Sequence, residues 1–243
     1  MDMIKLDAID STNSFLKKLS GEKELNDYTV VLAEYQSGGR GQMGTSWKSE
    51  PGKNLTCSIY KKVLCVDRTA QFYLNIAVSL AVYDVLQSLT IPQLKIKWPN
   101  DILSANQKIC GILIENVIKQ GQLYNTIIGI GLNVNQTDFS GLLNATSLKL
   151  LTGRSYDLDE LVQRIIQKLQ IYEKYIIEKI FKELSQTYEA CLFRKDKPST
   201  FKDAKGQLFM GYIKGISNDG RLKVLLEDEV MKEFELKEVK LLY

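Results

Sequence analysis

Residues Gly39-Arg40-Gly41-Gln42-Met43-Gly44 match the dinucleotide-binding pattern G-x-G-x-x-G letter for letter. What flanks them decides whether a doubly wound fold is available. That fingerprint needs a strand before the glycines and a helix opening on the third. The strand is present, since YTVVLAEYQ (Tyr28 to Gln36) is β-branched and apolar and runs straight into the glycines. The helix is not. Thr45 to Asn54 shows no 3.6-residue apolar period, and Pro51-Gly52 would stop a helix within two turns. Residues 36–54 are therefore predicted to form a long mobile loop between two strands, carrying Arg40, Trp47 and backbone N–H groups free to bend around an anion. A loop of this length without structure of its own is usually either functional or disordered. Taken alone, it leaves a ligand-gripping element and a solvated surface loop equally open.

The 243 residues suffice for one large domain with a small appendage. Histidine is absent, which excludes Ser-His and Cys-His nucleophilic dyads and most zinc sites. Thirty-two basic residues against 29 acidic ones leave a formal charge of +3, too small and too evenly spread to argue for nucleic acid. Cys57, Cys65, Cys110 and Cys191 have no C-x-x-C spacing and read as buried free thiols of a reducing compartment. The N-terminus is charged where a signal peptide would be apolar, and nowhere do 18 apolar residues run together. A cytoplasmic protein with no membrane association is expected.

Along the chain, strands and helices mix without a βαβ repeat, which predicts an α+β fold: a mixed β-sheet packed with helices. Asp10-Ser11-Thr12-Asn13 has the short polar side chains of a helix start. After the loop comes the strand LTCSIYKKV. From Arg68 to Leu89, Phe72, Ile76, Leu80, Tyr83 and Leu86 recur at helical spacing and mark an amphipathic helix. QLKIKWPND alternates as a strand and stops at Pro99. GILIENVI and LYNTIIGIGLNVN flank Lys119-Gln120-Gly121-Gln122, a predicted hairpin turn. A second long helix is predicted from Asp157-x-x-Glu160, continuing through Leu161, Ile165, Leu169, Tyr172, Ile176, Ile180, Leu184 and Tyr188. Composition changes after Arg194. The boundaries expected are 1–194 for the main domain and 195–243 for a small SH3-like β-barrel of short alternating strands.

Two further stretches carry more polar detail than a core requires. KWPNDILSANQKICGILIE places Lys97, Asn100, Asp101 and Lys108 around a strand end, and GIGLNVN ends another strand with Gly129, Gly131 and Asn133, small enough for a flat ring to approach the backbone. Lys97 alternates outward and reads better as a solvated lysine, while Asn100 and Asp101 beside a proline could simply cap a turn. Arg40 and Lys108 beside a glycine loop, with no histidine, point to electrophilic chemistry on a phosphate. A carboxylate nucleophile, with a pKa near ~4, is already ionised at pH 7 and needs no base. The protein has only to screen two anions and stabilise charge on the α-phosphate. Acyl adenylation fits that description.

DSTN, EYQSGGRGQMGTSW, KWPND, KICGILIE and GIGLNVN stand in the order and roughly the spacing of the biotin protein ligase family, which residues 8–195 resemble. The resemblance implies a class II synthetase-like catalytic domain with a small C-terminal β domain, and ATP, biotin and Mg2+ as the ligands. It also implies two steps: formation of biotinyl-5′-AMP, then transfer to a lysine of a biotin carboxyl carrier protein. Carried over by motif, Ser11, Thr12, Asn13 and Gln36 hold biotin's ureido head and bicyclic ring, with Gly39, Arg40, Gly41, Lys108 and Gly111 completing the biotin site. Arg40, Gln42, Trp47, Asn100 and Asn133 face the nucleotide. Arg40 contacts carboxylate and phosphate, and Lys108 reaches the acyl carbonyl and phosphate oxygens. Asp101 orients or deprotonates the incoming lysine. No metal ligands are assigned.

Gln42 and Thr45 stand where many relatives carry basic residues, so this loop has less positive charge than the commonest pattern. The chain begins about ten residues before DSTN, which leads to the expectation that a DNA-binding domain is missing and that DNA is not a partner. A homodimer stays open. So do two rival readings. One is a lipoate protein ligase, whose usual signature ends in a histidine that this chain lacks. The other is a non-catalytic nucleotide-binding module, which would not need both Arg40 and Lys108.

Overall fold

The computed structural model of the chain describes residues 2–62, 68–119, 122–142 and 144–243. The β-branched and aliphatic runs form a seven-stranded mixed sheet. Its strands are β1 (Met3–Ile9), β2 (Val30–Gln36), β3 (Leu55–Lys62), β4 (Leu94–Lys97), β5 (Asp101–Ser104), β6 (Gln107–Lys119) and β7 (Gln122–Leu132). Their spatial order is β1-β2-β3-β7-β6-β5-β4. Among the described strands of this sheet, only the β1–β2 pair is parallel. The turn predicted between β6 and β7 falls at Gln120-Gly121, outside the described residues, as does Cys65.

The two faces of the sheet differ because β-strand side chains alternate. Cys57, Ile59, Ile112, Ile128 and Ile130 point into one buried cluster with helix α2 (Arg68–Ser88). The other face carries a smaller cluster, Leu16, Leu25, Val31, Tyr60 and Ile127, under helix α1 (Thr12–Glu22). Ser11 caps α1 as its sequence implies, its side chain accepting from Ser14 N at 3.4 Å.

Helix α2 lies where the spacing puts it, but it is enclosed rather than amphipathic. Ile76, Leu80 and Leu86 are buried, and so are Ala77, Val78, Ala81 and Val82 between them. The reason is a second layer of helices beyond it, α4 (Leu158–Ile177) and α5 (Phe181–Ala190), both in contact with α2. The single long helix predicted from Asp157 is in fact these two. Lys179 adopts a left-handed conformation (φ 58°) just after α4, and Ile180 N bonds back to Tyr175 O at 2.8 Å. That turn sends α5 across α2, so the apolar period continues through the break while the helix does not. A short helix α3 (Leu148–Thr152), capped by Ser147, was not signalled by the periodicity.

The C-terminal residues form an antiparallel sheet of β8 (Pro198–Asp203), β9 (Leu208–Ile216), β10 (Leu222–Leu226), β11 (Met231–Phe234) and β12 (Val239–Leu242), in the order β11-β10-β9-β8-β12. It is of the small SH3-like kind, but among the described residues no pairing joins β11 to β12, so the barrel is open. Phe201, Ile213, Leu222, Val224 and Phe234 belong to the same buried cluster as the main core. Trp98 Nε1 donates to the Gly220 carbonyl at 2.9 Å, tying the small sheet to the end of β4. Gly220 has φ 90° and lies so close to Phe72 that a Cβ would fall 2.3 Å from its ring. Only glycine satisfies both conditions there.

Candidate active site

On the α1 face, β3, β7 and β6 present small residues side by side. Register places Ser58, Gly129 and Leu113 in one row and Thr56, Gly131 and Gly111 in the next. The N-terminus of α1 and the loop after β2 stand over these rows and enclose a cavity of about 320 Å³. Of the residues the sequence nominates for ligands, all line it except Gly39 and Asn133.

One end of the cavity is polar and nearly neutral. Gln36 Oε1 accepts from Thr12 N at 2.8 Å and from Thr12 Oγ1 at 3.0 Å. The Ser58 hydroxyl lies 2.7 Å from Thr12 Oγ1 and 2.5 Å from Asn13 Oδ1. Asn13 Nδ2 donates to Glu115 Oε2 at 2.7 Å, and the same oxygen accepts from Arg40 at 2.8 Å. Gly129 makes this approach feasible, because a Cβ there would sit 2.5 Å from Asn13 Oδ1. Glu115 is the residue that sequence reasoning missed. Its signal was strand alternation, which puts it on the same face as Gly111 and Leu113.

The other end is charged. Lys108 Nζ pairs with Asp101 Oδ1 at 2.6 Å and lies 5.7 Å from the centre of the Trp47 ring. The Trp47 indole rests on Gly131, where a Cβ would be 2.4 Å from Cε2. Glycine does admit a flat ring here, and in this structure the ring is the protein's own. Trp47 Nε1 is buried without a hydrogen-bond partner among the described residues, a state that costs about 1–3 kcal/mol. Lys97 departs from the solvated reading. It lines the cavity, with Nζ 4.7 Å from the centre of the Tyr243 ring and 3.3 Å from its hydroxyl. Leu236, Lys237, Val239, Lys240 and Leu241 bring the small sheet to the cavity as well. Nothing in a strand pattern reveals such a distant packing partner.

The loop itself corrects part of the expectation. It contains no α-helix, only a 3₁₀ turn at Gln42–Gly44, and it folds back on itself through a bridge between Arg40 and Ser46. Gly38, Gly41, Thr45 and Trp47 donate their backbone N–H groups to Asp10, Thr45, Gln42 and Gly39 carbonyls. These amides are engaged inside the protein and are not free to wrap an anion. The glycines serve the fold-back instead. A Cβ on Gly39 would meet the Trp47 carbonyl at 2.4 Å, and one on Gly41 the Thr45 hydroxyl at 2.4 Å. Thr45, one of the two positions short of positive charge, closes the turn by donating to Gln42 O at 2.7 Å.

Asn133 is buried outside the cavity. Its Nδ2 donates to Thr146 O at 3.0 Å, bracing the chain after β7 against the segment that precedes α3. Asn100 lines the cavity, with Nδ2 donating to Ile112 O. Cys57 is buried beneath the cavity, and burial pushes its thiol up to about 12. The described residues include no group of three or more His, Cys, Asp or Glu side chains that could hold a metal.

A family model described as the biotin/lipoate A/B protein ligase family matches residues 6–133. The bifunctional ligase/repressor BirA of Salmonella typhimurium is 31% identical over 230 residues, covering 93% of this chain and 70% of that protein. The match to BirA of Escherichia coli spans 39% of that protein's length at 36% identity. The biotin--[acetyl-CoA-carboxylase] ligase of Mycobacterium tuberculosis is 30% identical, covering 87% of this chain and 79% of its own. Among solved structures, the biotin protein ligase from Aquifex aeolicus in complex with biotin and ATP gives a TM-score of 0.82 at 27% identity, covering 99% of this chain and 98% of that one. With a family model across more than half of its length and relatives of this similarity, the chain belongs to the biotin/lipoate A/B protein ligase family.

Proposed function

We propose that the chain is an ATP-dependent ligase that activates biotin as biotinyl-5′-AMP and transfers the biotinyl group to a lysine of a biotin carboxyl carrier protein. The observation that carries this reading is the polarity of the cavity. A neutral hydrogen-bonding cluster of Thr12, Asn13 and Gln36, backed by Ser58, stands at one end and the Lys108–Asp101 pair at the other, with Arg40 joined to Asn13 through Glu115. A ligand with an uncharged ureido head and a carboxylate tail suits that arrangement. Residues 1–194 supply the cavity floor and residues 195–243 part of its rim.

In the first step the ionised biotin carboxylate attacks the α-phosphate of MgATP and pyrophosphate leaves. No general base is required. Arg40 and Lys108 reduce the repulsion between the two anions and stabilise the charge that builds on the phosphate. Magnesium is assigned to the nucleotide substrate, held through its phosphates. In the second step the carrier lysine attacks the acyl carbon and AMP leaves. The amine is a poor nucleophile while protonated, with a reference pKa near ~10.4. Asp101 orients it and takes its proton, releasing Lys108 to do so. The loop over the cavity opens to admit ligands and then excludes water from the mixed anhydride. Action in the cytoplasm goes with this function.

Incubating the protein with biotin, MgATP and a biotin carboxyl carrier domain tests this directly. The expected result is a mass gain of one biotinyl group on a single lysine of the acceptor. An unmodified acceptor would remove the reading.

A further inference from the structure

Glu115 is an acidic side chain held against two residues that line the cavity, Asn13 and Arg40, and beside a site proposed to receive a carboxylate and a polyphosphate electrostatics alone would select against it. Its contacts explain its presence. A single oxygen, Oε2, accepts from Arg40 at 2.8 Å and from Asn13 Nδ2 at 2.7 Å. Glu115 sits on the rigid strand β6, paired with Ile127 of β7, whereas Arg40 stands on a loop whose own hydrogen bonds near it are those of a small fold-back. Arg40 makes no other ion pair among the described residues. The guanidinium has five donors, and one is given to Glu115. The others keep their freedom to grip an anion in the cavity. Asn13 is clamped in turn, with Oδ1 beside the Ser58 hydroxyl and Nδ2 on Glu115, so its amide faces one way only.

We propose that Glu115 is a positioning residue. Its carboxylate holds the loop arginine over the cavity and fixes the Asn13 amide, so that one charge sets both the head-group end and the carboxylate end of the substrate site. The kinetic part rests on the biotin-activating function proposed above; the anchoring of the loop does not. Arg40 is about half exposed, at 44%, and Glu115 only 23%, so the coupling is moderate rather than absolute.

Glu115→Gln keeps the shape and removes the charge, and Glu115→Asp keeps the charge but shortens the reach. Trypsin cleavage after Arg40, without ligands and measured relative to cleavage at Lys205 in an exposed turn, reads the anchoring. We expect cleavage about fivefold to tenfold faster in Glu115→Gln and an intermediate rate in Glu115→Asp. The KM for biotin in pyrophosphate exchange is expected to rise about tenfold in Glu115→Gln, with partial rescue in Glu115→Asp. Unchanged melting temperatures set aside general damage. A wild-type cleavage rate in the variant, or faster cleavage with unchanged KM and kcat, overturns the proposal. A wild-type protein that shows no exchange with biotin removes the functional reading, while the cleavage rates still decide whether Glu115 anchors the loop.

Discussion

Asp101 Oδ1 lies 2.6 Å from Lys108 Nζ across the β5–β6 pair, so acid and base hold each other in place before either meets a substrate. In the proposed mechanism adenylation draws on Lys108, whereas acyl transfer draws on Asp101 once Lys108 has turned to the phosphate.

Asp101→Asn is therefore expected to leave biotin-dependent pyrophosphate exchange within about threefold of the wild type. Transfer from preformed biotinyl-5′-AMP to the carrier is expected to slow by about 10²-fold or more, the scale of a lost general base. Single-turnover rates of the two steps provide the check. An equal loss in both would show that Asp101 acts only through Lys108.

Trp47 rests on Gly131 with no space for a side chain between them. Gly131→Ala should leave the strand intact, since β7 is paired on both sides there, but should displace the indole. We expect the ligand-free emission of Trp47 to shift to the red and ATP to bind less tightly. An emission spectrum identical to wild type, with Trp47→Phe as the reference, would contradict the packing described.

Burial pushes the Cys57 thiol up to about 12 and raises Cys110 as well. Neither is expected to react with iodoacetamide in the folded protein at about pH 8, where thiolate is required. Peptide mass spectrometry after labelling reads this, and label on Cys57 without denaturant would contradict it.

Behind the sheet, Glu173 of α4 accepts from the Tyr28 hydroxyl and lies 2.8 Å from Lys61, which also pairs with Asp27. Burial, with the Asp27 charge adding to it, raises the Glu173 carboxyl from 4.5 to about 7. The folded protein thus binds this proton more tightly than the unfolded chain does. The stability it contributes is complete below about pH 4.5 and is lost as pH rises through about 7. The melting temperature of the wild type should fall by several degrees between about pH 5 and pH 8, and that of Glu173→Gln should fall less. Parallel slopes would contradict this assignment.

Much of the fold was legible because it follows from short-range rules. Ser11 capping α1, β4 ending before Pro99, and the missing helix after Gly44 each depend on a few neighbouring residues. The break at Lys179 was hidden because the apolar spacing of Ile176, Ile180 and Leu184 survives it. The site divides in the same way. Arg40, Lys108 and the glycines stand in motifs, and the packing of the loop after β2 over β6 and β7 brings them together. Strand alternation signals Glu115 but not its partner Arg40, and the rim residues Lys237 and Lys240 become visible only when sheets distant in sequence pack side by side. Asn133 shows the reverse case, a motif residue whose amide serves the backbone of a neighbouring segment.

Exchange of labelled pyrophosphate into ATP tests the central claim most directly, since it requires only the first half-reaction and no carrier. The account predicts exchange that depends on biotin, is not supported by lipoate, and falls by about 10²-fold or more in Lys108→Ala. Exchange driven by lipoate alone, or none with either acid, would contradict it.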